Sequence, residues 1–294
     1  MNWDDLRIAA AIGRAGTLAA AARRLGIDQT TVARRLRALE DALGTPLFER
    51  GEGGWQPTAP GSEVLARAWR MEEDAADITR IADAGARSVS GRVHLTSVGP
   101  IVADYLAPRL ASLMSTYPAL DVDLIARNDN LSLARREADI ALRLGRPADG
   151  DFLIRKLADV GFAVYAPADT PIDPVAWVAY GEDLDHTPEM RWLAARLNGP
   201  AGNTAARIRL RCDSLRGLTR AIAAGIGCGV LPCFIGDACS DLRRVPTDAL
   251  PVRELWQLVH RDARRLERVD AVSTWLAERF AADADLFRGL HPPA

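Results

Sequence analysis

The first fifty residues place apolar side chains at helical spacing, interrupted by two short breaks that contain glycine. Thr17 and Asp28 directly follow these breaks, and both residue types are good helix N-caps because their side-chain oxygens accept hydrogen bonds from free backbone N–H groups. Pro46 ends the third segment, since proline cannot continue a helix. The pattern predicts three short helices, followed by a hairpin around the glycine-rich tip at 51–54.

A longer helix is predicted from Gly61 to about Ala86, where apolar positions repeat with spacings of four and three. These positions are Val64, Ala68, Met71, Ala75, Ile78 and Ala82. Two interpretations are open: the stripe packs against its own domain, or it forms a seam with a second copy of the chain. Alanine at every second position favours the dimer seam, because small side chains let two helices approach closely.

From about residue 91 the pattern changes to short apolar strands that alternate with helices. This alternation predicts parallel α/β sheets, and about 200 residues leave room for two small lobes. The longest apolar stretch, 221–235, contains three glycines and a proline and is shorter than the roughly 18 to 20 residues of a membrane span. We therefore interpret it as buried core.

The composition is that of a globular protein, with 48% hydrophobic and 26% charged residues, which excludes a wholly disordered or collagen-like chain. The formal net charge is −2, so binding to a nucleic acid would need a local basic patch. The first residues are acidic where a signal peptide is basic, which predicts a cytoplasmic protein with reduced cysteines.

The third predicted helix, with the residues before it, provides such a patch. Five arginines and one aspartate between Arg23 and Arg37 give a net charge of +4. On a helical wheel the face expected in the core carries Val32, Leu36, Leu39 and Leu43. The opposite face carries Thr30, Thr31, Arg34, Arg37 and Ala38, with Gln29 at the start of the helix.

This outward face has the chemistry needed to read base edges in a DNA major groove. Arg34 would pair bidentately with guanine and Gln29 with adenine, and the methyl groups of Thr30 and Ala33 would contact thymine methyls. The surrounding arginines would attract phosphates. The alternative is a solvated helix face with ordinary surface arginines.

The segments 19–36 and 39–50 resemble the winged helix-turn-helix of LysR-type transcriptional regulators, and the similarity continues through 57–61, 91–95, 138–143, 224–227 and 231–232. The resemblance implies a winged helix-turn-helix domain, a dimerising linker helix and an α/β effector domain with two lobes, similar to periplasmic binding proteins. It also implies dimers or tetramers that bend operator DNA, a small-molecule effector that alters this bend, and recruitment or blocking of RNA polymerase.

The resemblance also assigns residues that contact DNA. Gln29, Thr30, Ala33 and Arg34 fall where the family reads bases, and Thr31, Arg35 and Arg50 fall where it meets bases or phosphates; Thr17 completes the expected set. Two positions depart from the family pattern, since Asp28 and Ala33 stand where serine is usual. These departures affect which operator is read.

The expected effector site lies between the lobes, at the carboxyl ends of strands and the amino ends of helices, where free N–H groups favour anions. The matching positions are Ser97, Val98, Gly99 and Pro100 in the first turn, Asn128 and Arg146 at the rim, and Asp213 and Ser214 in the second lobe. Each of them taken singly is equally compatible with an ordinary loop residue. Pro100 lacks an N–H donor, so this turn offers one donor fewer to a carboxylate effector than the turn of many family members.

These observations predict a winged helix-turn-helix domain over 1–60, a linker helix and hinge over 61–90, and an effector domain over 91–294. Its first lobe is expected at about 91–165 and 266–294, and its second at about 166–265. No catalytic constellation, cofactor motif or metal-ligand spacing is visible in the sequence, so an enzyme is not expected. Cys228, Cys233 and Cys239 are either inert core residues or redox sensors. The rival hypothesis is a cytoplasmic solute-binding protein whose amino-terminal helices serve oligomerisation.

Overall fold

The computed structural model describes residues 2–51, 54–84, 89–127, 138–147, 152–169, 176–198, 206–261 and 263–290. Contacts within it divide the chain into two compact units, one up to Arg92 and the other comprising the described residues from Val93 onward. None of the helices in these ranges is long and apolar enough to cross a membrane.

The first unit contains the three predicted helices, the hairpin and the long helix. They are α1 (Trp3–Ala15), α2 (Leu18–Leu25), α3 (Gln29–Leu43), β1 (Phe48–Gly51), β2 (Gly54–Pro57) and α4 (Ala59–Ala84). Thr17 caps α2 as predicted, since its Oγ1 accepts a hydrogen bond from the Ala20 N–H at 3.2 Å. Asp28 occupies the N-cap position of α3, but its carboxylate accepts no capping bond, which corrects the expected role of that side chain.

The core of this unit forms where α3 packs against α1 and α2. Val32, Leu36 and Leu39 are buried as predicted, together with Ile12 of α1. Leu43 was expected on the same buried face, but it is 36% exposed. It is the last residue of α3, directly before the Gly44 cap, which explains why the core does not cover it.

The beginning of the apolar stripe along α4 packs against its own domain, whereas the two positions that follow are exposed. Ala68 is 1% exposed and Val64 is half-buried, and both pack in the unit's own core with α1. Trp69 reinforces this packing, because its Nε1 donates a hydrogen bond to the Ala10 carbonyl at 3.1 Å. The expectation that Ala68 lies in a dimer seam is therefore wrong, because its own domain already buries it. Met71 is 44% exposed, and Ala75 is exposed as well.

The remaining two seam positions, Ile78 and Ala82, have side chains outside those that the structure describes.

The second unit contains two five-stranded sheets. The first lobe has strands β3 (Gly91–Ser97), β4 (Leu120–Ala126), β5 (Ile140–Leu144), β6 (Phe152–Val160) and β12 (Arg253–His260), in the order β4-β3-β5-β12-β6. The second has β7 (Phe162–Pro167), β8 (Ala176–Tyr180), β9 (Arg207–Cys212), β10 (Cys228–Pro232) and β11 (Leu242–Val245), in the order β11-β7-β10-β8-β9. The helices are a π-to-3₁₀ segment over 101–109, α5 (Leu110–Thr116), α6 (Pro188–Asn198), α7 (Leu215–Ala223), α8 (Cys233–Gly236), α9 (Glu267–Ala282) and α10 (Ala284–Arg288).

Both sheets are mixed, which corrects the prediction of parallel sheets. β3 pairs with β5 in parallel, but β12 runs antiparallel to β5 and β6. β7 likewise runs antiparallel to β10 and β11 in a lobe whose other pairs are parallel. The lobe boundaries also differ from the expected ones. β7 already belongs to the second sheet, and β12 returns to the first.

The chain first crosses between the lobes at Gly161, which separates β6 from β7. Its N–H donates to the Phe287 carbonyl and its carbonyl accepts from the Cys233 N–H, both at 2.9 Å. A Cβ at this position would lie 2.5 Å from the Arg288 carbonyl oxygen, so no side chain fits here without a shift of the backbone.

Phe287 of α10 fills the space beside this crossing and is fully buried. Its ring centroid lies 4.7 Å from that of Tyr105, 5.0 Å from that of Phe280 and 4.8 Å from that of Phe234. Phe280 lies on α9 of the first lobe, whereas Phe234 lies on α8 of the second lobe. One aromatic cluster therefore connects the two lobes.

We predict that Phe287→Ala destabilises the effector domain by about 3–5 kcal/mol, because it removes a fully buried ring and leaves a cavity. Urea unfolding followed by near-UV circular dichroism measures the change. Leu290→Ala is the matched control, since Leu290 is 57% exposed and its truncation should cost less than about 0.5 kcal/mol. Equal midpoints for the two variants would contradict a structural role for the ring.

Candidate DNA-reading face and effector cleft

The outward face of α3 presents the predicted set of polar side chains. Gln29, Thr30 and Arg34 are exposed, while Thr31 and Ala33 are half-buried at the edges of the face. The Thr30 hydroxyl donates to the Asp28 carboxylate at 3.4 Å. The side chain of Asp28 therefore orients a residue of the reading face instead of capping the helix.

Arg35 differs from its neighbour Arg34, because it is tied into the domain. Its Nη1 lies 3.2 Å from the carboxylate of Asp5 and 3.9 Å from that of Asp4, both at the start of α1. The Arg35 side chain is 36% exposed. In this arrangement the guanidinium joins α3 to α1.

The hairpin is held beside α3 by contacts that the sequence pattern did not reveal. One carboxylate oxygen of Glu40, near the end of α3, accepts from the N–H groups of Leu47 at 2.7 Å and Phe48 at 3.3 Å. On the other strand, the Trp55 N–H donates to the Gly16 carbonyl at 2.9 Å. Arg50 is exposed on β1, in register with Trp55, so its guanidinium is accessible on the hairpin.

The second unit encloses a cleft of about 530 Å³ between its two lobes. Its lining includes five of the predicted effector positions, namely Val98, Gly99, Pro100, Asp213 and Ser214. Ser214 caps α7, with its Oγ accepting from the Gly217 N–H at 3.3 Å. Asn128, another predicted rim position, lies outside the described residues.

Two predicted positions do not line this cleft. Ser97 is fully buried, and its hydroxyl donates to the Leu142 carbonyl at 3.2 Å. Its side chain is therefore engaged within the first sheet. The guanidinium of Arg146 stacks over the ring of Trp256, 5.3 Å from its centroid. The expectation that Ser97 faces the effector is therefore wrong, whereas Arg146 is exposed and its rim position stays a prediction.

The inner wall of the cleft contains charged residues that sequence reasoning missed. Arg143 is 6% exposed, and its guanidinium donates to the Leu142 carbonyl at 3.0 Å and to the Thr96 hydroxyl at 3.4 Å. Glu189 is 3% exposed and forms an ion pair with Arg253 at 3.0 Å. These residues come from β5, α6 and β12, so their proximity depends on pairings that are far apart in the chain.

Tyr180 lines the same wall. Burial raises the pKa of its hydroxyl well above the ordinary value, and the nearby negative charge of Glu189 raises it further. The phenol therefore stays protonated at neutral pH and remains a hydrogen-bond donor. Phe162 and Phe234 supply apolar surface to the lining.

Two of the three candidate cysteines lack the exposure of a thiol sensor. Cys228 and Cys233 are buried, and burial is the largest cause of the raised pKa of the Cys233 thiol. A raised pKa lowers the thiolate fraction, which favours an inert core residue at this position. Among the described residues, no three His, Cys, Asp or Glu side chains are grouped to hold a metal ion.

A helix-turn-helix with a hairpin wing, followed by a cleft between two α/β lobes, defines a ligand-responsive DNA-binding regulator. Family comparison agrees: residues 3–62 match the bacterial regulatory helix-turn-helix protein model of the lysR family, and residues 86–281 match the LysR substrate binding domain. The chain belongs to the LysR family of transcriptional regulators. This membership favours the regulator over a solute-binding protein, and the family is not one of enzymes.

Individual relatives support the assignment over nearly the full length. The Mau operon transcriptional activator of Paracoccus denitrificans is 35% identical over 286 residues, covering 96% of this chain and 97% of the relative. A full-length OxyR variant from Pseudomonas aeruginosa has a similar fold, with a TM-score of 0.67 and 21% identity over 98% of this chain and 97% of that one. CrgA from Neisseria meningitidis gives a TM-score of 0.57 at 22% identity, over 95% and 99% of the two chains.

Proposed function

We propose that this LysR-type regulator reads its operator through the exposed face of α3 and contacts the flanking phosphates through its wing. The observation that supports this most directly is the division of α3 into two faces. Val32, Leu36 and Leu39 are buried, whereas Gln29, Thr30 and Arg34 project outward. A helix held on one side by a core and polar on the other fits the major groove.

In this proposal Gln29, Thr30, Ala33 and Arg34 contact bases, and Thr17, Thr31 and Arg50 contact bases or phosphates. Arg35 also belongs to the proposed set, but its ion pairs with α1 mean that it would have to be shared between Asp5 and DNA. Asp28 lies next to this face and holds Thr30, so it would influence the base that Thr30 meets.

We further propose that a small molecule in the cleft changes how the protein acts on its operator, and that the output is transmitted to RNA polymerase. Val98, Gly99, Pro100, Asp213 and Ser214 would line its site, and the cleft is of a volume typical for small ligands. Since the operator is chromosomal in this scheme, the protein would act in the cytoplasm.

Dimerisation would use the part of α4 that its own domain leaves exposed. Met71 and Ala75 continue the stripe beyond Ala68, and they precede Ile78 and Ala82 at the same spacing. The proposed seam therefore begins at Met71. A dimer would place two reading helices on one operator, which is the usual reason for two-fold symmetry in such sites.

The operator proposal is tested by sequencing random DNA fragments retained by the purified full-length protein at about 0.15 M salt, where non-specific attraction is already reduced. We expect a two-fold-related motif. Arg34→Ala should then weaken operator binding by about 1–3 kcal/mol and relax the preference at one base position in each half-site.

Arg24→Ala is the matched control, because it removes the same charge from an exposed position on α2, outside the proposed reading face. It should weaken binding without changing the motif. Identical motifs for the wild type and Arg34→Ala would reject a base-reading role for Arg34.

Arg50→Ala should weaken binding to every sequence to a similar extent, because the wing arginine is proposed to meet a phosphate. The slope of log K against log salt should become shallower by about one unit, as expected for the loss of one contact. Arg191→Ala, which removes an exposed arginine from α6, should leave that slope unchanged. An unaltered slope for Arg50→Ala would remove Arg50 from the phosphate contacts.

Ala75→Glu should convert the dimer to monomer, because it places a charge in the proposed seam at a position exposed in the chain itself. Light scattering measures the mass directly. Ser62→Glu introduces the same charge at an exposed position near the start of α4 and should leave the mass unchanged. A dimeric mass for Ala75→Glu would place the interface elsewhere.

A further inference from the structure

The beginning of α4 is packed against α1 along one helical face. Leu65 and Ala68 are buried there, and Trp69 is partly buried against the same core. The two helices approach so closely that a Cβ at Gly13 of α1 would lie 2.9 Å from the Leu65 side chain and 3.2 Å from that of Trp69. Apolar packing therefore fixes the distance between the helices at these turns.

An ion pair continues this contact one turn beyond the apolar packing. Arg14, in the last turn of α1, donates a hydrogen bond from Nη1 to Glu72 Oε2 at 2.5 Å. Its guanidinium also lies over the Trp69 ring, 5.7 Å from the centroid. The Arg14 and Glu72 side chains are 34% and 22% exposed, so water screens the two charges only in part. Arg14 is thus held from two sides, by a carboxylate and by an aromatic face.

The end of α1 also holds the other parts of the DNA-binding unit. Ile12, two residues before Arg14, is buried in the core that α3 shares. Two residues after Arg14, the Gly16 carbonyl accepts a hydrogen bond from the Trp55 N–H of β2 at 2.9 Å. A change in the angle between α1 and α4 would therefore move α3 and the hairpin together relative to α4.

The ion pair lies where α4 leaves its own domain, because Glu72 directly follows Met71, at which the proposed dimer seam begins. In a dimer joined by two such helices, the angle between α1 and α4 in each protomer sets the separation and relative rotation of the reading helices. The hydrophobic effect is non-directional, so packing at Leu65 and Ala68 restricts distance more than angle. A charge-assisted hydrogen bond requires a defined geometry and restricts the angle as well.

We propose that Arg14 is a positioning residue, which fixes the angle between α1 and α4 through Glu72 and Trp69 and thereby selects the spacing of the two half-sites in the operator. Arg14 needs no contact with DNA for this role. The inference rests on the proposed function, because it requires a two-fold operator and a seam on α4.

The test compares the operator found by fragment selection with versions that carry one base pair more or one fewer between the half-sites. Each such change alters the separation of the half-sites by about 3.4 Å and their relative rotation by about 35°. Fluorescence anisotropy gives the Kd of the full-length protein for each DNA. The ratio of the Kd for an altered spacing to the Kd for the selected spacing measures how strictly the spacing is read.

We expect a large ratio for the wild type and a ratio about three- to tenfold smaller for Arg14→Ala. A partly exposed ion pair is worth about threefold in an equilibrium constant, and a dimer contains two of them. The bases preferred within each half-site should stay the same. An unchanged ratio for Arg14→Ala would overturn the proposal, since a residue that only stabilises the fold has no reason to alter it.

Arg67→Ala is the matched control. Arg67 is an exposed arginine of α4 whose partner Glu63 lies on the same helix, so its loss breaks no contact between α4 and α1. Loss of a phosphate contact would weaken binding to all the spacings alike and leave the ratio unchanged. An equal fall of the ratio in Arg67→Ala would reject the specific role of Arg14.

Two further variants keep the proposal testable if Arg14→Ala fails to fold. Glu72→Gln preserves the shape of the side chain and the stacking of Arg14 on Trp69, and it should lower the ratio in the same direction. Arg14→Glu combined with Glu72→Arg restores an ion pair and should recover part of the wild-type ratio. No fall in Glu72→Gln, or no recovery in the double variant, would contradict the proposal.

The same measurements separate this proposal from the operator proposal. If the wild type retains a two-fold motif and the ratio does not respond to Arg14→Ala, the positioning role is wrong and the operator proposal stands. If no motif is enriched with the wild type, the operator proposal fails and the positioning role fails with it.

Discussion

The geometry of the effector domain depends on how the backbone is fixed at Gly161. Both backbone polar groups of this residue are used, one by Phe287 and one by Cys233, and a side chain here would collide with the Arg288 carbonyl. The cleft residues Phe162 and Phe234 directly follow Gly161 and Cys233 in the chain. The same hydrogen bonds that join the lobes therefore also place two aromatic walls of the cleft, so lobe arrangement and ligand fit are determined together.

The DNA-binding domain relies on a comparable principle, since charged side chains fix elements whose outer faces stay available. Glu40 holds the start of the hairpin against α3, and Arg35 joins α3 to Asp5 of α1. Neither contact uses Gln29 or Arg34. These two proposed base contacts can therefore change without disturbing the contacts that hold the helix in the domain.

The sequence predicted features that are encoded locally and missed those that depend on distant pairing. The N-cap at Thr17 and all but the last position of the buried face of α3 follow from spacing and residue type alone, and both are confirmed. The heptad stripe showed that Ala68 would be covered, but periodicity does not say which surface covers it. Glu189 and Arg253 are 64 residues apart, and no local pattern signals that α6 and β12 bring them together. Ser97 was misassigned because a strand-end serine can bond within the sheet as readily as to a ligand.

The burial of Leu65 and Ala68 has a mechanical consequence. These residues fix the beginning of α4 to the domain that carries the reading helix, while the helix continues as a rod of 26 residues, roughly 39 Å long. The helix α4 and the domain that carries α3 therefore rotate together as one rigid body. A tilt of about 5° displaces the far end by about 3 Å, which is comparable with the rise of one base pair. In the proposed dimer, a rotation of this size would therefore shift a reading helix by a distance comparable with one base-pair rise.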